Sequence, residues 1–228
     1  MADPLRLVTY PLPGYTELGD GEAPGFSVEV LTRVFAAMGQ EVSFEEFPLS
    51  RGWEMVVRGE RDGLFVTLRL SQRAQACSFA DEPLRRERWV LFGRSADVRN
   101  LKFYTLDDLD GKNVAITRGL YAWPELQKFK RKHPDMVETT DTGMLFRMLA
   151  AGRFDYGIAN LTVGARQIKK MGLFDIEPIL SPSVMEDDYQ VCFNKARVPS
   201  SLVEAFSRAL RLFKQTQAFQ AISRKYFP

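Results

Sequence analysis

Apolar positions along the chain alternate between two registers. Residues 5–9 (LRLVT), 42–47 and 63–66 are short runs of strand character. Between them Val30, Leu31, Val34, Phe35 and Met38 recur at helical spacing, with Ser27 placed to cap the helix and Gly39 to end it. Residues 50–57 predict a short second helix opened by Ser50 and stopped by Gly59. The Pro- and Gly-rich stretch 11–25 is a loop carrying Tyr15. This β-α-β-α-β order predicts a parallel sheet covered by helices.

The pattern then restarts. Residues 88–93 (RWVLFG) form an extended connector, followed by strands at 112–117, 136–139 and 156–159 and helices at 123–132, 142–151 and 161–171. A strand at 189–193 precedes two terminal helices, 200–214 and 215–226, the first with Leu202, Phe206, Leu210 and Phe213 on one face. No low-complexity linker separates the two repeats. Two lobes joined by extended strands are expected.

Composition narrows the function. With 228 residues, 45% of them hydrophobic and 26% charged, the chain can bury a sizeable core. Lys+Arg 31 against Asp+Glu 29 leaves a net charge of +2, too balanced for a phosphate-backbone partner, so no nucleic-acid role is expected. No run approaches the length of a membrane span, and residues 1–10 lack a basic segment followed by an apolar one. The chain is therefore read either as cytosolic or as a mature exported form whose leader has given way to an initiator Met, and the early first strand suits the second. Cys77 and Cys192 form no CxxC and supply too few ligands for a thiolate metal site, so two buried, unpaired thiols are expected.

Catalytic constellations are scarce. The single histidine, His133, sits in a charged run and reads as a solvated helix end. No GxSxG, HExxH, Walker or GxGxxG pattern occurs, and the neighbours Glu45 with Glu46 and Asp187 with Asp188 read as surface charges. The informative feature is arginine usage. Residues 1–100 contain no lysine, so any cation that this half places in a cleft is a guanidinium, suited to bidentate carboxylate recognition. Arg51 opens the second helix, and Arg69 and Arg73 lie just beyond the strand at 63–66, where open α/β sheets bind ligands; Thr67 lies there too.

Four segments carry a resemblance. GERDGLFVTLRLSQRAQACSFADEPL (59–84), GFSVEVLTRVFAAMG (25–39), DLDGKNVAITRGLYAW (108–123) and LAAGRFDYGIAN (149–160) follow in the order seen in bacterial solute-binding proteins of amino-acid ABC transporters, family 3, which the chain resembles over essentially its whole length. The resemblance implies an α/β, two-lobed type II periplasmic-binding fold, each lobe a mainly parallel sheet flanked by helices, with both chain ends in one lobe (1–92 plus 186–228) and the other lobe at 93–185. It implies closure over a small ligand, no cofactor, a monomer in the periplasm and delivery to an ABC permease in the inner membrane. By position, Arg73 would grip the ligand carboxylate with Thr67, the turn Gly119 to Tyr121 would donate backbone N–H groups, and Tyr10 or Tyr15 would form an aromatic wall.

The chain departs from the family pattern at several of these places. Asn160 stands where amino-acid binders place an Asp for the ligand ammonium, Ser27 replaces the Asp of Gly-Phe-Asp, and Tyr121 replaces a Ser/Thr. Arg51, Arg69 and Arg118 add candidate cations. Standard α-amino acids and carboxylates without an ammonium group are thus both open. The alternatives are a sensing module without a transport role, or a lyase resembling cyclohexadienyl dehydratases, against which Asn160 counts because it cannot titrate. The effector domain of a LysR-type regulator shares the plan, but no helix-turn-helix segment is present.

Overall fold

The computed structural model describes residues 4–18, 23–117 and 123–227. In chain order the elements are β1 (Leu5–Thr9), α1 (Phe26–Ala37), β2 (Val42–Glu46), α2 (Leu49–Val57), β3 (Gly63–Thr67), β4 (Cys77–Phe79), β5 (Arg85–Arg94) and α3 (Ser95–Val98). They continue with β6 (Val114–Thr117), α4 (Pro124–Lys132), β7 (Val137–Thr139), α5 (Thr142–Ala150), β8 (Tyr156–Asn160) and α6 (Leu161–Met171). The chain closes with β9 (Ile176–Ile179), β10 (Met185–Asn194), α7 (Ser200–Lys214) and α8 (Gln217–Tyr226). It divides into two compact units, Met1–Arg86 with Asp188–Pro228, and Glu87–Asp187. The crossings lie within β5 and β10, the strands that also contain the expected breaks at 92/93 and 185/186.

In the first unit β1 pairs in parallel with β2 and β3, and β10 lies antiparallel between β3 and β4. In the second, β6 pairs in parallel with β7 and β8, and β5 runs antiparallel between β8 and β9. The sheets are therefore mixed rather than mainly parallel. The reason is topological: β5 and β10 each carry the chain from one unit to the other, and they enter sheets built from βαβ crossovers in the opposite sense. Burial follows the same division. β3 and β8 are buried at every position, as strands covered on both faces must be, whereas β2, at the sheet edge, is half-exposed.

Both terminal helices belong to the first unit. Phe206 of α7 stacks on Phe35 of α1 at 5.1 Å between centroids, and Phe219 of α8 meets Phe26 at 5.8 Å. The buried stripe of α7 is Val203, Phe206, Ser207 and Leu210, which leaves Leu202 and Phe213 of the expected face at its margins.

α1 corrects one expectation. Its cap is Gly25, not Ser27, with φ 97°, and an added Cβ there would lie 2.5 Å from the Tyr15 carbonyl carbon and oxygen. The first N–H groups of the helix are instead taken by the loop, Phe26 N by Gly14 O at 2.9 Å and Ser27 N by Tyr15 O at 3.0 Å. Backbone carbonyls thus do what a capping side chain would have done. Likewise α2 begins at Leu49 after Pro48, a residue ahead of Ser50.

The two cysteines are paired, against the expectation of free thiols. Cys77 and Cys192 form a disulfide with Cα atoms 5.3 Å apart. The strand β4, unrecognised in the sequence because it is three residues long, sets Phe79 opposite Cys192 and Cys77 opposite Asn194, bringing the thiols into range.

α5 of the second unit has a side-chain cap. Asp141 Oδ1 accepts the Met144 N–H at 2.7 Å, and that bond, ahead of the Thr140 hydroxyl and the Arg147 charge, holds the carboxyl below its ordinary value of 3.8. Asp141→Ala should cost about 1 kcal/mol at neutral pH. Because the folded-state pKa is the lower one, the contribution is complete above the unfolded value and disappears as pH falls through the folded one. Urea midpoints of wild type and variant should therefore differ at pH 7 and begin to converge once pH falls below about 4; a gap that persists in strong acid would show that the carboxylate is not the cap.

Candidate functional site

β1 and β3 run side by side in parallel, and Arg69 and Arg73 follow the carboxyl end of β3. Thr67 is the last residue of β3, and Tyr10 follows β1 directly. Arg73 begins the short 3₁₀ turn Arg73–Gln75 and reaches back so that its Nη1 donates to Thr67 Oγ1. Its guanidinium lies over the Trp53 ring of α2, 5.5 Å from the centroid. Arg51 lies over Phe47 and Arg69 over Phe79, each at 5.8 Å. Cations held on aromatic faces keep their charge while their stems are desolvated.

Three features set Arg73 apart. It is half-buried, and burial pulls its pKa down, with only the neighbouring Tyr10 acting the other way. Among the described residues no carboxylate pairs with it, while Arg61, Arg86, Arg94, Arg197 and Arg211 of the same chain all have acid partners. The Tyr10 hydroxyl donates to Val66 O at 3.0 Å, and burial pushes its pKa up to about 12, so it stays a neutral donor across the physiological range. A cation stripped of water without an internal acid is the arrangement that favours an external anion.

The backbone beneath this cluster is strained. Val66 has φ 58°, a left-handed conformation rarely adopted by a β-branched residue and costing roughly 1–2 kcal/mol. The register explains it: Phe65 opposes Val191 and Thr67 opposes Gln190, so Val66 is the extra residue of a bulge in β3. The bulge turns the end of the strand, presents the Val66 carbonyl to Tyr10 and sets Thr67 under Arg73.

The remaining sequence-predicted residues divide. Arg51 and Arg69 are exposed, so they contribute field more than contact. Tyr15 is fully buried among Phe26, Tyr189 and Phe227, which makes it a core residue of the first unit. Arg118, Gly119 and Tyr121 lie outside the described residues. Asn160, at the end of β8, caps α6: its Oδ1 accepts Val163 N–H at 2.9 Å, and its Nδ2 donates to Glu87 Oε2 at 3.1 Å.

Sequence reading missed Glu87, Trp53 and Gln190. Glu87 is a buried carboxylate of β5 that also receives the Thr162 hydroxyl at 3.4 Å, so the second unit keeps an acid beside Asn160 although position 160 itself carries none. Its burial was hidden because it sits in the charged run RRER. Asp187, read as a surface charge, accepts Trp123 Nε1 at 2.8 Å, and Trp123 packs edge-on against Trp89 at 4.6 Å, anchoring the chain immediately after residue 122. His133 is not a free solvated end either, because it packs on Phe129 at 4.2 Å with Nε2 3.1 Å from Asp110.

Comparison with known proteins gives the same architecture. A histidine kinase sensor domain with similarity to periplasmic binding proteins is 22% identical, with 98% of this chain and 96% of that one covered and a TM-score of 0.80. The GluR0 ligand-binding core in complex with L-glutamate is 16% identical, covering 100% and 99%, with a TM-score of 0.81. The arginine-, lysine-, histidine-binding protein ArtJ from Geobacillus stearothermophilus is 18% identical, covering 99% and 95%, with a TM-score of 0.75. At these identities the likeness shows the fold, an α/β type II periplasmic-binding architecture. No curated protein matches the chain. The model of the bacterial extracellular solute-binding proteins, family 3, matches residues 7–228, and the chain belongs to that family.

Proposed function

We propose that the protein is a periplasmic receptor that captures a small carboxylate-bearing solute, an amino acid or related organic acid, and delivers it to an ABC permease. The observation that carries this is Arg73: a half-buried guanidinium, bonded to Thr67, backed by Trp53 and lacking an acid partner among the described residues, at the carboxyl ends of β1 and β3. Tyr10 supplies the aromatic wall. The trap-like closure, the monomeric state and a purely binding, non-enzymatic role belong to the same proposal. The Cys77–Cys192 disulfide supports an oxidising compartment, and no helix among the described residues is long and apolar enough to cross a membrane.

A thermal-shift screen of amino acids, mono- and dicarboxylates and polyamines tests the reading. A cognate acid at a hundredfold excess over Kd should stabilise the fold by about 2.7 kcal/mol. Polyamines raising the melting temperature while every acid leaves it unchanged would refute the carboxylate class. Sensing is the second reading, favoured by the sensor-domain neighbour. Uptake of the ligand into vesicles carrying a candidate ABC permease, dependent on this protein, distinguishes transport from sensing.

A further inference from the structure

Gln190 is a polar residue buried in β10, 6% exposed. Its side-chain Oε1 is buried and has no hydrogen-bond partner among the described residues. Buried carbonyl oxygens are almost always satisfied, and leaving one without a donor destabilises the fold. Its position is specific. Gln190 stands directly opposite Thr67 in the antiparallel β3–β10 pair, at the step where the Val66 bulge shifts the register. Opposed residues of such a pair project on the same face with their Cβ atoms about 5 Å apart. The buried acceptor is thus a neighbour of the hydroxyl that Arg73 grips.

We infer that Gln190 is a specificity-determining residue whose Oε1 accepts a hydrogen bond from an uncharged donor on the ligand, next to the carboxylate held by Arg73. This rests on the carboxylate-receptor reading and deepens it by naming the ligand class: an acid with a hydroxyl beside its carboxylate, a 2-hydroxy acid. An amide oxygen is a full hydrogen-bond acceptor but carries no charge. A ligand ammonium placed there would face the Arg73 cation with only a neutral dipole to balance it, and among the described residues no acid of the first unit pairs with Arg73. A hydroxyl satisfies the amide without adding charge. An acid lacking the donor would bury the oxygen still unpaired, which is how a polar pocket rejects an analogue.

The test uses matched acids on one carbon skeleton: malate, aspartate and succinate; lactate, alanine and propionate; phenyllactate, phenylalanine and phenylpropionate. Affinities are measured by calorimetry on the wild-type chain, Gln190→Met and Gln190→Glu. In at least one triad the hydroxy acid should bind about tenfold or more tighter than the unsubstituted acid. Gln190→Met should bring that ratio close to one, and the free variant should melt no lower than wild type. Gln190→Glu should shift preference toward the ammonium member. If Arg73→Ala abolishes binding but Gln190→Met leaves the ratio intact, the assignment of Gln190 is overturned and the carboxylate grip stands. An amino acid binding wild type more tightly than its hydroxy counterpart also overturns it. If no acid binds wild type, the grip itself fails and the assignment falls with it.

Discussion

Arg73→Ala should lower the affinity for the cognate carboxylate roughly a hundredfold or more, read by calorimetry with the acid found in the screen. The magnitude follows from desolvation. A carboxylate bound beside Thr67 loses water and takes the guanidinium as its counter-charge, so truncating the cation leaves a buried charge unpaired. The free protein should barely change in stability, by less than about 1 kcal/mol, because the lost Thr67 bond and Trp53 stacking are offset by no longer stripping water from a cation. That contrast separates loss of binding from loss of fold. Arg73→Lys keeps the charge but not the planar fork and should recover only part of the affinity. Arg51→Ala and Arg69→Ala, at exposed positions, should cost a few-fold at most and less at high salt. Unaltered affinity in Arg73→Ala would remove the grip from this part of the molecule.

The double substitution Cys77→Ala with Cys192→Ala should cost about 5 kcal/mol, the chain-entropy value for a cross-link spanning 115 residues. For a protein of this size that is a fall of about 10–20 °C in melting temperature. The bond ties β4 to β10, and therefore ties the returning C-terminal segment to the sheet begun by the N-terminal one. Wild type treated with a reductant should melt with the double variant, and reductant should leave the variant itself unchanged. A wild-type melting temperature insensitive to reduction would show that the disulfide contributes nothing to the folded state.

The residues differ in how far their roles could be read in advance. Gly39 ends α1, and Leu161–Met171 and Ser200–Lys214 are helices at the bounds that their apolar spacing predicts, because periodicity and turn chemistry act between near neighbours in the chain. Short strands failed for the opposite reason. β4 and β9, of three and four residues, carry too few positions for an alternation to register, and only their partners β10 and β5 make them strands. Ser27 had the chemistry of a cap but lost the position to Gly25, since the loop at 14–16 approaches too closely for any Cβ there. Tyr15, carried by a polar loop, was indistinguishable from a site aromatic until that loop folded it against Phe26 and Phe227.

The candidate site shows the same division. The run of residues without lysine and the place of Arg73 just past a buried strand were visible in the letters, and so was the loss of an acid at Asn160. No local rule could assign Gln190 or Glu87, because a polar residue within a strand or a charged run is exposed far more often than not. The amino-acid sequence by itself determined the long helices, the longer strands between them and the guanidinium character of the cations in residues 1–100, all of which depend on composition and on spacing along the chain. Only the tertiary structure decided which polar groups are stripped of water and what they are left facing. Burial and pairing are properties of segments brought together from distant parts of the sequence, as when the bulge at Val66 sets Thr67 opposite Gln190.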